Sequence, residues 1–257
     1  MAKLALSLAC CDYDRTRALF DGRVTVDGCE LLATPVEPEE AFHRAFKYAE
    51  FDVSELSLSS YTLRVSRGEN AYVAIPAFVS RLFRHSGIYI RSDRGIRRPQ
   101  DLKGKTIGLP EYQITANVWI RGILQDEYGV PVDSVTYYTG GEEEPGRPEK
   151  LKLDLPPNIK VQPIGERDTL AAMLRDGGID AFYTARMPST YKAGGKGPVK
   201  RLFENYMEVE QAYYRKTGIF PIMHTVVIRR EVYEKNRWVA MNLYKAFVEA
   251  QRECYDD

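Results

Sequence analysis

The stretch DLKGKTIGLPEYQITANVWIRGILQDEYGV, residues 101–130, decides the fold. Lys103-Gly104 marks a turn, and Thr106, Ile107 and Leu109 supply the β-prone residues of a short buried parallel strand over 105–109. Pro110 ends the strand and Glu111-Tyr112-Gln113 make a polar loop. Thr115 then stands at an N-cap-like position. Trp119, Ile120, Ile123 and Leu124 fall on one apolar stripe of a helix of about four turns, which Gly129 stops. A strand that enters a helix through a polar loop presents unpaired backbone N–H groups at its mouth. Such a mouth favours anions such as carboxylates.

The same alternation extends in both directions. A strand over 4–9 ends in the charged loop Asp12-Tyr13-Asp14-Arg15 and a helix over 16–20. A strand over 30–36 is finished by Pro38, and the helix 39–49 aligns Phe42, Ala45, Phe46 and Ala49 on one face. A strand over 51–58 opens into Ser57-Leu58-Ser59-Ser60 and a short helix ending near Gly68; strands over 71–78 and 87–91 follow. Beyond the opening stretch come a strand over 134–138, an acidic Gly/Pro loop over 140–150, a strand over 159–163, a helix over 169–175 and a strand over 179–183. Residues 188–198 lack periodicity and suit a crossing segment. The chain then gives a strand over 199–203, an aromatic helix over 205–217, a strand over 224–230 and a closing helix from about Val232. This order predicts an α/β fold of two lobes, each a mainly parallel sheet flanked by helices. Lobe one takes 1–90 plus 189–257 and lobe two 91–188, with a ligand cleft between them at the carboxyl ends of strands.

Composition excludes several classes. Hydrophobic residues are 44% and charged residues 28% of the 257, as in an ordinary globular protein. Lys plus Arg equals Asp plus Glu at 36 each, so no basic field invites nucleic acid or an anionic membrane. No run of about 18 apolar residues suggests a membrane span. In MAKLALSLACC six residues separate Lys3 from Cys10, short of the roughly 7–15 of a secretory apolar core. The segment is expected to be a strand and the protein cytoplasmic, with Cys10, Cys11, Cys29 and Cys254 as reduced thiols.

Several motifs carry a family resemblance. DLKGKTIG before a helix and DTLAAMLRDGGIDAFYTAR before a return look like type II periplasmic-binding-protein clamps. More specific are SLACCDYDRTRAL, FDVSELSLSSY, IPAFVSRLFRHSGIYI, GLPEYQITANVWIRGIL, TYYTGGEEEPGR and GIFPIMHTVVIRR. Together, across essentially the whole chain, they resemble the 4,5-dihydroxyphthalate decarboxylase family, whose relatives generally continue into further helices. The resemblance implies non-oxidative conversion of 4,5-dihydroxyphthalate to 3,4-dihydroxybenzoate (protocatechuate) and CO2. It implies no organic cofactor and a small aromatic dicarboxylate as the partner. A non-catalytic solute-binding protein for an aromatic or other small carboxylate is the alternative that the fold permits.

Aromatic decarboxylation needs a carboxylate held out of the ring plane, electron density pushed into the ring, and a proton for the carbon that CO2 leaves. His85, Glu111 and His224 are the candidate catalytic residues. His85 sits beside Arg81 and Arg84, which suit bidentate carboxylate recognition; a solvated basic turn with a structural histidine is the other reading. Glu111 lies in the helix mouth with Tyr112, Gln113 and Thr115, as a proton donor or a capping carboxylate. His224 opens the returning strand, as an acid or as a hydrogen-bonded structural group. Asp14 and Arg15 end the first strand; Ser57, Ser59 and Ser60 end the third, as ligand contacts or N-caps. Tyr183 and Arg186 end the last lobe-two strand, Arg186 being the preferred carboxylate grip in that lobe. Glu142-Glu143-Glu144 reads as a solvated turn, and no histidine spacing suggests a metal. A homodimer through the Tyr-rich helix 205–217 is the expected assembly.

Overall fold

The computed structural model describes residues 2–69, 71–192, 194 and 196–256. From the amino terminus come β1 (Leu4–Cys10), α1 (Arg17–Phe20), β2 (Cys29–Pro35), α2 (Pro38–Tyr48), β3 (Val53–Ser57), α3 (Leu58–Ser66) and β4 (Tyr72–Arg81). Next are β5 (Ile88–Arg91), β6 (Thr106–Leu109), α4 (Thr115–Tyr128), β7 (Thr136–Thr139), β8 (Lys160–Pro163), α5 (Leu170–Asp176), β9 (Ala181–Tyr183), β10 (Val199–Arg201) and α6 (Tyr206–Thr217). The chain returns through β11 (Ile222–Arg229), α7 (Arg230–Lys235) and α8 (Trp238–Asp256).

It divides into two compact units. One joins residues 1–81 to 222–257, and the other is Leu82–Pro221. The sequence placed these limits at 90/91 and 188/189, and the difference has a hydrogen-bonding cause. β5 pairs antiparallel with β9 (Ile88 against Tyr183) and with β10 (Val199 against Arg91), so both flanking segments are edge pieces of the second sheet. The pairing partner of a short apolar strand is not written in its own residues.

The first unit is a five-stranded sheet in the order β2-β1-β3-β11-β4. β1 runs parallel to β2 and β3, and the returning β11 runs antiparallel to β3 and β4. Alternation sorts its residues: Leu8, Val226 and Ile228 pack beneath Leu243 and Phe247 of α8, whereas Ala9, Leu56 and Val227 meet Phe42 and Ala45 of α2. Helix α2 begins at Pro38, whose fixed φ suits a first helical turn, rather than after it. The closing helix is broken in two around Asn236, whose backbone leaves the helical region.

The second unit is a six-stranded sheet in the order β10-β5-β9-β6-β7-β8. β9, β6, β7 and β8 are mutually parallel, with β5 and β10 completing one edge. Ile107, Leu109 and Tyr137 face α4, and Phe182 faces α5. Gly129 ends α4 at φ +63° with its N–H on the Gln125 carbonyl, as the sequence predicts. Thr115 is the first helical residue rather than the cap, which is Ile114.

Candidate functional site

In the first unit, β1 and β3 end at the same edge, and β11 begins there with His224 opposite Ser57. Glu55 lies in the middle of β3 and is 0% exposed. Its Oε1 accepts from the Tyr13 hydroxyl at 2.7 Å and lies 2.6 Å from His224 Nδ1. Its Oε2 accepts from the Cys11 backbone N–H at 3.0 Å and the Cys10 thiol at 3.4 Å. Burial would push the Glu55 carboxyl up. The His224 hydrogen bond and charge, with the Cys11 N–H and Tyr13 O–H, outweigh it and leave the group below its ordinary range. Burial and the neighbouring Glu55 charge push the Tyr13 phenol far up, and burial does the same for Cys10. Each of these groups therefore donates, and Glu55 receives.

The His224 ring is 19% exposed and takes the edge of Phe42, ring centroids 4.9 Å apart. A carboxylate only accepts, so Nδ1 carries the proton of the 2.6 Å contact. Among the described residues Nε2 has no hydrogen-bond partner. Around this pair the structure brings several sequence-predicted residues. Ser57 Oγ is 3.4 Å from Ser59 Oγ at the start of α3, with Ser60 buried beside them in sequence. Arg15 donates from Nε to the Val79 carbonyl at 2.5 Å, and its guanidinium lies 4.1 Å over the Tyr13 ring. Asp14 is exposed, held below the usual carboxylate range by the Arg15 backbone N–H. Arg81 is exposed at the end of β4, over the Phe78 ring.

In the second unit Glu111, also 0% exposed, anchors the loop that follows β7. Its Oε1 receives Arg147 Nε at 2.9 Å and Nη2 at 2.8 Å, with Lys150 Nζ at 3.4 Å. Its Oε2 receives the Lys150 backbone N–H and Gln113 Nε2, both at 3.1 Å. The arrangement is that of a structural anchor, with two cations and no open oxygen. Tyr112 packs under the Arg121 guanidinium, 3.7 Å from ring centroid to Cζ, and edge-on to Tyr137. Its backbone N–H binds Glu149, whose carboxyl burial pushes up to about 7. Thr115 and Tyr183 are buried; Arg186 is exposed, with its backbone N–H on Thr184 Oγ1. Glu142 is half-buried and accepts from Thr184 Oγ1, whereas Glu143 and Glu144 are exposed, as the sequence suggests, Glu143 accepting from Ser189.

His85 departs furthest from expectation. It is 1% exposed, in a box formed by Phe203, Tyr213 and Tyr128 at centroid distances of 5.2, 5.3 and 6.2 Å. Among the described residues neither ring nitrogen has a hydrogen-bond partner, and burial lowers its pKa to about 4 against a smaller pull from Glu127. Tyr128 is the last residue of α4 and Glu111 precedes the first, so His85 and Glu111 flank opposite ends of a helix about 20 Å long. They are not members of one catalytic pair. Arg84, beside His85, is buried, and burial lowers its pKa to about 10.

No family model matches the chain. A protein of Comamonas testosteroni named 4,5-dihydroxyphthalate decarboxylase is 45% identical over 247 residues, 96% of this chain and 74% of its own length. A Pseudomonas putida protein of the same name is 48% identical over 194 residues, 76% of this chain and 75% of its own. The chain belongs to the 4,5-dihydroxyphthalate decarboxylase family.

Solved structures place this decarboxylase-family chain in the type II periplasmic-binding-protein-like fold. A crystal structure of an Archaeoglobus fulgidus protein has a TM-score of 0.56 at 15% identity, covering 98% of this chain and 77% of that one. The periplasmic aliphatic sulphonate binding protein of Escherichia coli gives 0.53 at 13%, covering 96% and 72%. At such identities the likeness is of fold alone. Among the described residues no helix is long and apolar enough to cross a membrane.

Sequence reasoning missed Glu55, the partnership of Tyr13 with it, and the Arg147–Lys150 clasp on Glu111. One signal for Glu55 was present. FDVSELSLSS reads as a buried strand, and a carboxylate inside a buried strand must have a partner. The partner itself, 169 residues away, has no local signature.

Proposed function

We propose that the protein removes one carboxylate, without oxidation, from a hydroxylated aromatic dicarboxylate, namely 4,5-dihydroxyphthalate, releasing 3,4-dihydroxybenzoate and CO2. The observation that carries this is the 45% identity with the Comamonas testosteroni decarboxylase, maintained over 96% of the chain. The chemistry asks for a proton at the ring carbon that loses CO2, and for electron density from the hydroxyl para to it. His224 is a partly exposed group with one ring nitrogen held and the other open, which suits that proton transfer. Ser57, Ser59 and Arg15, near the same strand ends, are the candidates for holding oxygen atoms of the substrate.

The test is anaerobic incubation of purified protein with 4,5-dihydroxyphthalate, with and without chelator, following 3,4-dihydroxybenzoate and CO2. Stoichiometric formation of both products is expected. Tight binding without product would assign the chain to solute binding instead, and loss of turnover with chelator would require a metal in the reaction.

A further inference from the structure

We propose that Glu55 is a positioning residue for the decarboxylation: it holds the His224 ring by Nδ1, so that Nε2–H is the proton delivered to the substrate ring carbon. The inference rests on the reaction assigned above and adds the residue that orients its proton donor.

The geometry is that of a fully used carboxylate. Glu55 accepts four hydrogen bonds, two on each oxygen, from Tyr13, His224, the Cys11 N–H and the Cys10 thiol. Three of these donors come from the end of β1 and the turn that follows it, which is a rigid attachment. A buried carboxylate needs such satisfaction to remain charged. Three donors would nearly suffice for that, so satisfaction alone does not explain a histidine. What His224 gains is orientation. With Nδ1–H directed at Oε1 and the ring edge set against Phe42, the remaining nitrogen has a single direction and no partner among the described residues. Tyr13, whose hydroxyl is 2.7 Å from Oε1 and 3.4 Å from Nδ1, closes the other approach to Nδ1. It thereby fixes which nitrogen faces outward.

The step balances as follows. In the doubly protonated ring, Nδ1–H stays on Glu55 and the Nε2–H bond breaks as a C–H bond forms at the carbon bearing the carboxylate. The hydroxyl para to that carbon supplies electron density to stabilise the cationic ring. The C–CO2 bond then breaks, its electron pair restores the aromatic ring, and CO2 leaves. His224 remains neutral with its proton on Nδ1, where Glu55 still holds it, and Nε2 regains a proton from water. A flipped ring would put a ring carbon, with no transferable proton, at the same place.

The experiment has two arms on the full chain. In the first, proton-detected 15N spectra of protein labelled at histidine report the neutral His224 tautomer, with His224→Asn used for assignment. Wild type is expected to show protonated Nδ1 and Glu55→Gln a loss of that preference. In the second, turnover and KM for 4,5-dihydroxyphthalate are measured for Glu55→Gln, His224→Asn and the double variant, with thermal unfolding of each. Glu55→Gln is expected to lower kcat by about 10²–10⁴ with KM changed less than threefold. The double variant should be no slower than His224→Asn, because a positioning residue has nothing left to position. A purely structural Glu55 would add its loss to that of His224 and would lower the melting temperature in proportion. Full kcat in Glu55→Gln, or a neutral wild-type ring protonated on Nε2, would overturn the inference while leaving the reaction intact. Absence of product from wild type would overturn the reaction itself, whatever the spectra show.

Discussion

Replacing His85 by phenylalanine separates a core histidine from a catalytic one. The ring is 1% exposed, boxed by three aromatic side chains, with both nitrogens unpaired among the described residues. An unpaired buried polar group costs about 1–3 kcal/mol, which phenylalanine relieves. The larger ring costs a comparable amount if the box cannot widen, about 1–3 kcal/mol. At pH 8 the two effects should leave His85→Phe within about 1 kcal/mol of wild type. The difference should open as pH falls. The folded pKa is lowered from 6.5 to about 4, so the neutral ring favours the folded state. That contribution is complete above pH 6.5 and is lost as pH falls toward 4, because the unfolded chain takes the proton first. The loss is about 2 kcal/mol by pH 5 and about 3 kcal/mol at pH 4. His85→Phe has no such term.

Urea unfolding at pH 8, 6 and 5, followed at Trp119 of α4 in a Trp238→Phe background, measures this directly. Taking the variant minus wild type at each pH cancels what every other group contributes. The expected result is a variant that gains about 2 kcal/mol on wild type between pH 8 and pH 5 and retains turnover within threefold. A pH-independent difference would refute the sealed neutral histidine. Loss of turnover in a stably folded variant would show that His85 reaches the substrate.

Glu149 should give the opposite pH slope. Its carboxyl is raised from 4.5 to about 7, so its stabilising share is complete below pH 4.5 and lost as pH rises through 7. Glu149→Gln keeps the acceptor for the Tyr112 N–H and should be about 2 kcal/mol more stable than wild type at pH 8, after allowance for partial exposure; equal stability at pH 8 would refute the shift. Arg147→Ala leaves the buried Glu111 with Lys150 as its remaining cation and should cost about 3 kcal/mol in thermal or urea unfolding, whereas a cost under 1 kcal/mol would mean that the clasp is ornamental. Gly87→Ala would set a Cβ 2.5 Å from the Thr184 backbone carbonyl, across the β5–β9 pair. A loss of about 1–3 kcal/mol is expected, read by the urea midpoint; no loss would mean that the strands can part there at no cost.

The reach of the sequence followed the range of the interactions involved. The strand–loop–helix of residues 101–130 was legible because its determinants are local: apolar positions at helical spacing on α4 and a glycine at φ +63° that ends it. The unit boundary was not, because it depends on which distant edge β5 and β10 join. The same distinction separates the three candidate proton donors. SRLFRHS reads as a basic turn, yet the box around His85 is assembled from Tyr128, Phe203 and Tyr213, none within forty residues. Glu111 reads as an acid at a helix mouth, yet its charge is met by Arg147 and Lys150 from an aperiodic loop. A proton donor needs one protein contact that orients it and one open position from which the proton can leave. Among the described residues His85 has no hydrogen-bond partner, and its aromatic box leaves no opening, while Glu111 has contacts on both oxygens. His224 has Glu55 on one nitrogen and, among the described residues, no hydrogen-bond partner on the other. The strand that supplies Glu55 is built of small and apolar residues around that one carboxylate. Its burial is unfavourable without partners, and the partnership it forms gives His224 a direction.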